Sequence, residues 1–178
     1  MQIKFDPHYT ITPKMAEALL RIESAKEKVF HLPLTPTVLA TLRETARLCT
    51  THYSTMIEGN RLIPGQIEQI LKHAGHFAGR EREENEIKGY YTALRQLEQW
   101  AAKGISITEV IIQTLHAQVM ADGRIKVKPT PYRDGQNVIR DSRTHAIVYM
   151  PPEAKDVPGL MQGMVQWISA SQNIPTAQ

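Results

Sequence analysis

The segment with the most chemical content is Ser54-Thr55-Met56-Ile57-Glu58-Gly59-Asn60. A helical apolar pattern runs into it and a glycine follows Glu58, so Glu58 is predicted in the last turn of a helix, where free carbonyls already make the field negative. A carboxylate there costs about 0.3–1 kcal/mol, and it gains most when a cation approaches the helix end. The competing account is a solvated glutamate beside Arg61, since exposed pairs of this kind contribute little. The residues alone leave both accounts open.

Other reactive side chains point to less. His73 and His76 lie three apart, a spacing that two metal ligands can use on a helix. No clear third ligand joins them and Gly75 interrupts the helix, so loop histidines are expected and no metal is assigned. His116 sits mid-helix among apolar neighbours, where a hydrogen-bonded structural histidine is the default. Cys49 is the single cysteine. It excludes an intrachain disulfide, fits a reducing compartment, and reads as a small buried hydrophobe rather than a nucleophile. The tyrosines and tryptophans follow helical spacing and read as core. No G-x-x-x-x-G-K-[ST], G-x-G-x-x-G or G-x-S-x-G occurs.

Composition narrows the class of protein. The 178 residues are 42% hydrophobic and 22% charged, with a net charge of +3. This fits one soluble domain, or most of one, with a real core. No apolar run reaches the roughly 20 residues of a membrane span, and the N-terminus lacks the pattern of a secretory signal. Basic residues are interspersed with acids, as in Arg80-Glu81-Arg82-Glu83-Glu84. That describes a salt-bridged surface, not a nucleic-acid face. Together these features place the protein in the cytoplasm, away from membrane and nucleic acid.

The elements that must position Glu58 are mainly helical. Thr12-Pro13 starts a helix over 14–31, and Thr35-Pro36 starts a second that closes at Gly59-Asn60. Its predicted buried stripe is Val38, Leu42, Thr45, Leu48, Cys49, Tyr53 and Met56. A short helix at about 65–73 precedes a long one over 81–103, whose inner side is Ile87, Tyr90, Tyr91, Leu94, Leu97 and Trp100. Ser106 or Thr108 caps a further helix with Ile107, Val110, Ile111, Leu115 and Val119 inward. Val138-Ile139 and Ala146-Ile147-Val148-Tyr149, joined by a polar stretch, read as a hairpin. Pro151-Pro152 ends it, and a last amphipathic helix runs to about Ser171.

Ser54, Glu58 and Gly59 also match the inhibitory motif of Fic proteins: Ser or Thr, three free positions, Glu, then Gly or Asn. Downstream, Leu115-His116, Tyr132-Arg133, Val138, Tyr149-Met150-Pro151-Pro152 and Val157-Pro158-Gly159-Leu160-Met161 follow in the order of that family's helix, flap hairpin and helix entry. The chain therefore resembles, over nearly its whole length, Fic proteins whose inhibitory helix lies N-terminal to the catalytic core. It departs in two places. Pro131 stands where the family often has glycine, and the signature His-Pro-Phe-x-(Asp/Glu)-Gly-Asn-Gly-Arg does not occur. In the family's order of elements, that signature would follow Gln178.

The resemblance implies a mainly α, incomplete Fic-like bundle with one β-hairpin flap. Residues 1–80 would form the N-terminal helical region with the inhibitory helix at about 36–59, and 81–178 the front of the core with a flap at about 136–149. In a complete parent, AMP would pass from ATP, with Mg²⁺, to a hydroxyl of a target protein. The general base, phosphate cradle, metal-holding acid and arginines would come from the absent signature, so this chain alone is expected to be inactive, with no catalytic or metal residue and no cofactor of its own. Glu58 would pair with the signature's second arginine, Ser54 would help fix the helix, and Val138, Ile139, Ile147, Val148 and Tyr149 would be flap residues. Expected partners are the target protein and the missing C-terminal Fic core. The apolar face of the last helix (Leu160, Met161, Met164, Val165, Ile168) would favour self-association. The alternatives are a non-catalytic interaction protein that kept the Fic scaffold, and an unrelated helical module with a chance motif.

Overall fold

A computed structural model describes residues 4–170. In chain order the elements are α1 (Pro13–Phe30), α2 (Pro36–Ile57), α3 (Pro64–His73), α4 (Glu81–Ala102), α5 (Glu109–Val119), β1 (Ile139–Arg140), β2 (Ile147–Tyr149), a 3₁₀ turn (Ala154–Asp156) and α6 (Val157–Ala170). The fold is mainly α with one two-stranded antiparallel hairpin. Two helix starts follow directly from the sequence. Thr12 Oγ1 accepts from Met15 N–H at 3.2 Å, and Thr35 Oγ1 accepts from Val38 N–H at 3.3 Å, each satisfying one of the orphan amides of a first turn. At α3 the reach-back comes from within the helix, where Gln66 Oε1 accepts from Ile63 N–H at 3.1 Å.

The chain divides into two compact units. Of the described residues, one comprises 29–106 and 110–130, the other 4–28, 107–109 and 131–170. In the first, α2, α3 and α4 pack around Leu62, Ile67, Ile70 and Ile87, with Leu48, Leu71 and Phe77 against them. Gly89 lets the end of α5 lie directly on α4, since a Cβ at this position would come within 2.1 Å of Val119 O. In the second, the segment before α1 is packed on α6. The Phe5 and Trp167 rings meet edge to face at 6.1 Å.

The buried side of α2 is not the predicted one. Val38, Leu42, Tyr53 and Met56 are 45–58% exposed, and Cys49 is also exposed. Of the predicted stripe, only Leu48 packs on the core. The inner side instead carries Thr51 and Thr55, both buried. Thr55 Oγ1 donates to Thr51 O at 2.8 Å, so its hydroxyl is satisfied inside the helix and the side chain can be buried as a small hydrophobe. Glu44, one turn before Leu48, is half-buried and joins α2 to α4. It accepts from Tyr91 Oη at 2.8 Å and from Arg47 Nη1 at 2.8 Å, while Arg47 Nε donates to Glu98 at 2.8 Å. Burial pushes the Glu44 carboxyl up, but the Tyr91 and Arg47 hydrogen bonds outweigh it and hold it below the usual range. Similar shifts of face occur elsewhere. Leu97, Ile107 and Val110, predicted inward, are 44–60% exposed, whereas Glu84, Ala93 and Gln118 are buried.

Candidate functional site

The closure of α2 presents Glu58. Gly59 N–H donates to Met56 O at 3.0 Å, and Asn60 N–H donates to Thr55 O at 3.0 Å. This is the paired bonding of a Schellman terminus, with Glu58 as the cap residue (φ −84°) and Gly59 in the left-handed region (φ 97°). The sequence predicts the glycine and its conformation. Asn60, read only as the end of the helix, does more. It is buried, its Nδ2 donates to Glu83 O at 3.0 Å and Glu86 Oε2 at 3.1 Å, and its Oδ1 accepts from Leu62 N–H at 3.1 Å. The chain leaving α2 is thereby pinned to the first turns of α4.

Ser54 lies one turn before Glu58 and is half-buried, with its hydroxyl accepting from Tyr90 Oη at 2.9 Å. Glu58 is exposed, and its carboxylate has no hydrogen bond or ion pair among the described residues. Arg61, the neighbour that would neutralise it in the simpler account, is exposed and equally without a partner there. Ser54 and Asn60, on either side of Glu58, are thus held by α4, while the acid itself is exposed and unpaired among the described residues at a helix end whose field is negative.

Buried charge in this unit lies elsewhere. Glu84 is 3% exposed; it accepts from Phe77 N–H at 2.6 Å, from Lys88 Nζ at 3.4 Å, and lies 3.0 Å from His76 Nδ1. Burial raises its pKa, but these partners outweigh burial and hold the carboxyl below its ordinary value. Glu84 therefore ties the 74–80 loop to α4. His76 serves this anchor and His73 closes α3. No group of three or more His, Cys, Asp and Glu among the described residues is arranged to hold a metal ion. His116 Nδ1 lies 3.1 Å from Thr130 Oγ1, a structural contact.

The flap candidates form the predicted hairpin, within the other unit. Ile139 pairs with Tyr149 and Arg140 with Ile147, leaving Val148 as the extra residue of a bulge. Its turn is organised by Asp141, whose Oδ1 accepts from Arg143 N–H at 3.0 Å, Thr144 N–H at 2.6 Å and Thr144 Oγ1 at 2.9 Å. The two Thr144 bonds and the Arg143 amide hold the Asp141 carboxyl below the usual range. Ile139, Ile147, Val148 and Tyr149 are 45–62% exposed, and Val138 is half-buried. A two-stranded ribbon is marginal by itself, and its base is held from outside the ladder. An Arg133 Nη2–H donates to Pro152 O, and Gln136 Nε2 donates to Pro151 O at 3.0 Å. Nearby, Tyr132 Oη donates to Glu109 Oε2 at 2.7 Å, and burial, the bond and the glutamate charge push the phenol up to about 12. The sequence supplied the Tyr132-Arg133 pair but no signal for what Arg133 and Gln136 grip.

No protein-family model matches the sequence. Solved structures do. The chain is similar to a Fic family protein from Desulfovibrio desulfuricans G20, at a TM-score of 0.71 and 25% identity, covering 96% of this chain and 50% of that one. It is also similar to a Fic domain containing signaling protein from Bacteroides thetaiotaomicron VPI-5482, at a TM-score of 0.71 and 22% identity, covering 89% of this chain and 59% of that one. The chain thus spans about half the length of the structures it matches. Helices, hairpin and neighbours agree that what this chain carries is part of a Fic fold.

Proposed function

We propose that this chain is the regulatory and flap-bearing part of a self-inhibited Fic protein that transfers AMP from ATP to protein hydroxyls. One observation carries the reading: Glu58 stands exposed and unpaired at a rigidly closed helix end. The surrounding field disfavours a carboxylate there unless a cation arrives. In the proposal that cation is an arginine of the His-Pro-Phe signature, which these 178 residues do not contain. With the arginine engaged by Glu58, ATP binds unproductively, because the γ-phosphate charge is not offset. Ser54, tethered to Tyr90, keeps the helix end in register.

The remaining features have places in the same scheme. Ile139, Val148 and Tyr149 line a short strand pair with open edges, to which an extended target segment adds by main-chain pairing. ATP and Mg²⁺ belong to the complete protein. The acid and phosphate cradle that would hold them lie in the signature, so no step of the transfer is assigned to residues of this chain. Support for a continuing core comes from the exposed apolar side chains of α2 (Val38, Leu42, Met56), which stand uncovered while the chain covers only 50% and 59% of the two structures it matches. The cytoplasm is the proposed location, where ATP and an exposed thiol at Cys49 are compatible.

The test uses a version of the protein that runs through the His-Pro-Phe signature, incubated with ATP labelled in the α-phosphate. Glu58→Gly and the shape-conserving Glu58→Gln are both expected to raise label on the protein itself severalfold over wild type. The 178-residue chain alone is expected to transfer none. Equal labelling of wild type and both variants would remove Glu58 from this role, and no labelling of any of them would favour a non-catalytic interaction module.

A further inference from the structure

A cleft of about 440 Å³ lies within the unit that holds α2, α3 and α4, between the end of α3, one side of α4 and the turn that follows α5. The chain's own bonds fix its walls. Thr92 Oγ1 donates to Gly123 O at 3.4 Å, and Nε2 of the buried Gln118 donates to Ile125 O at 3.0 Å. Gly123 takes a left-handed φ of 91° and lies so close to α4 that a Cβ there would come within 3.1 Å of Lys88 Cβ. Ile70, Leu71 and Ile125 give the cleft apolar surface, and its size falls in the range of small-molecule sites.

Arg95 lines this cleft with its Cζ 5.9 Å from the centroid of the Tyr91 ring, within reach of a cation–π attraction. The ring is held in turn, because Tyr91 Oη donates to Glu44 at 2.8 Å. Among the described residues the Arg95 guanidinium has no hydrogen bond or ion pair, and neither have the side-chain amides of Gln96 and Gln99 beside it. The acids nearby are all held by other cations. Glu84 accepts from Lys88 at 3.4 Å, Asp122 pairs with Arg124 at 2.9 Å, and Glu44 and Glu98 share Arg47 at 2.8 Å each. Arg95 thus offers a stacked, planar fork with its donors unspent, the geometry that takes a carboxylate or phosphate through two parallel bonds. Charge separates these two. A phosphate monoester carries about −1.5 to −2 near pH 7, and four carboxylates already stand around a single uncommitted cation. One negative charge is what Arg95 can offset.

We propose that this cleft binds a small monocarboxylic acid with an apolar or aromatic body. Its carboxylate sits on the Arg95 fork, with the Gln96 and Gln99 amides as further donors, and its body covers Ile70, Leu71 and Ile125. The site is independent of the role given to Glu58.

The probes are phenylacetate, its neutral isostere phenylacetamide, phenyl phosphate and a short Glu-rich peptide, each titrated into the full chain while backbone amide chemical shifts are followed by NMR. Phenylacetate is expected to give saturable shifts confined to Thr92–Gln99 and Asp122–Ile125, and the other three weaker binding or none. Arg95→Gln should weaken phenylacetate by about tenfold or more, the worth of a charge-assisted pair. Arg95→Lys keeps the charge without the fork and should recover only part of the loss. Ile125→Glu places an acid on the cleft's apolar surface and should weaken binding by a similar factor. Arg95 and Ile125 are exposed, and an unaltered far-UV circular dichroism spectrum checks each variant. Five results would overturn the proposal: phenylacetate gives no saturable shifts; phenylacetamide binds as well; phenyl phosphate or the peptide binds more tightly at the same residues; Arg95→Gln leaves binding unchanged; or Arg95→Lys binds like wild type.

Discussion

Tyr90 Oη donates a hydrogen bond of 2.9 Å to Ser54 Oγ, joining the middle of α4 to the last full turn of α2. With the Asn60 bonds to Glu83 and Glu86, it brackets Glu58 on both sides. The acid is exposed, but the backbone that carries it is fixed at Ser54 before it and at Asn60 after it.

Tyr90→Phe should therefore lower stability by about 0.5–1.5 kcal/mol, the net worth of one such bond. Urea unfolding measures it, with an unchanged m-value. Ser54→Ala should cost a similar amount, and the double variant little more than either single one. Full additivity of the two losses would mean that the hydroxyls do not depend on each other.

Gly59→Ala should cost about 1–2 kcal/mol, since φ at this position is 97° and a Cβ is strained there even with open space around it. Gly65→Ala is the matched control. It also has open space, but lies in α3 without a positive φ, so it should be neutral or stabilising by about 0.4–1 kcal/mol. Thermal melts of the pair separate backbone strain from loss of a glycine as such.

The buried Glu84 predicts an acid limb of stability. Its folded pKa is depressed below the ordinary 4.5, so the folded state holds the carboxylate more strongly than the unfolded chain does. The resulting stability is fully present above about pH 4.5 and is lost as pH falls through the lower, folded value. Phe77 N–H, His76 and Lys88 are the groups that face it. Glu84→Gln should melt at a lower temperature near pH 7 and lose less on acidification to pH 3. A parallel pH profile for wild type and variant would place the acid limb on other carboxylates.

Tyr132 supplies the opposite limb. With its phenol pushed up to about 12 in the fold, against an ordinary 10.0, the stabilisation is complete below pH 10 and is lost as pH rises toward the folded value. In a titration followed at 295 nm, Tyr132 should ionise late among the six tyrosines, and Tyr132→Phe should delete that late step. The same step surviving in the variant would assign it to another tyrosine, with Tyr91 the first to test, since burial and Glu44 raise its pKa as well.

The sequence by itself determined where the elements start and stop. Thr12, Thr35 and Gly59 act through bonds to neighbours a few positions away, and Pro151-Pro152 ends a strand because proline has no N–H to give the ladder, so local chemistry makes them legible, and the hairpin and the Ser54–Glu58–Gly59 spacing were legible for the same reason. Which face of each helix turns inward was decided only by the tertiary structure. Apolar spacing favoured Val38, Leu42 and Met56, yet α2 buries Thr51 and Thr55, and Thr55 satisfies its hydroxyl on Thr51 O within the helix itself. The supports of the candidate site were hidden likewise. Asn60 to Glu86, Tyr90 to Ser54 and Gln136 to Pro151 span 15–36 positions, and no local propensity encodes a hydrogen bond whose two ends meet only when helices and hairpin are packed.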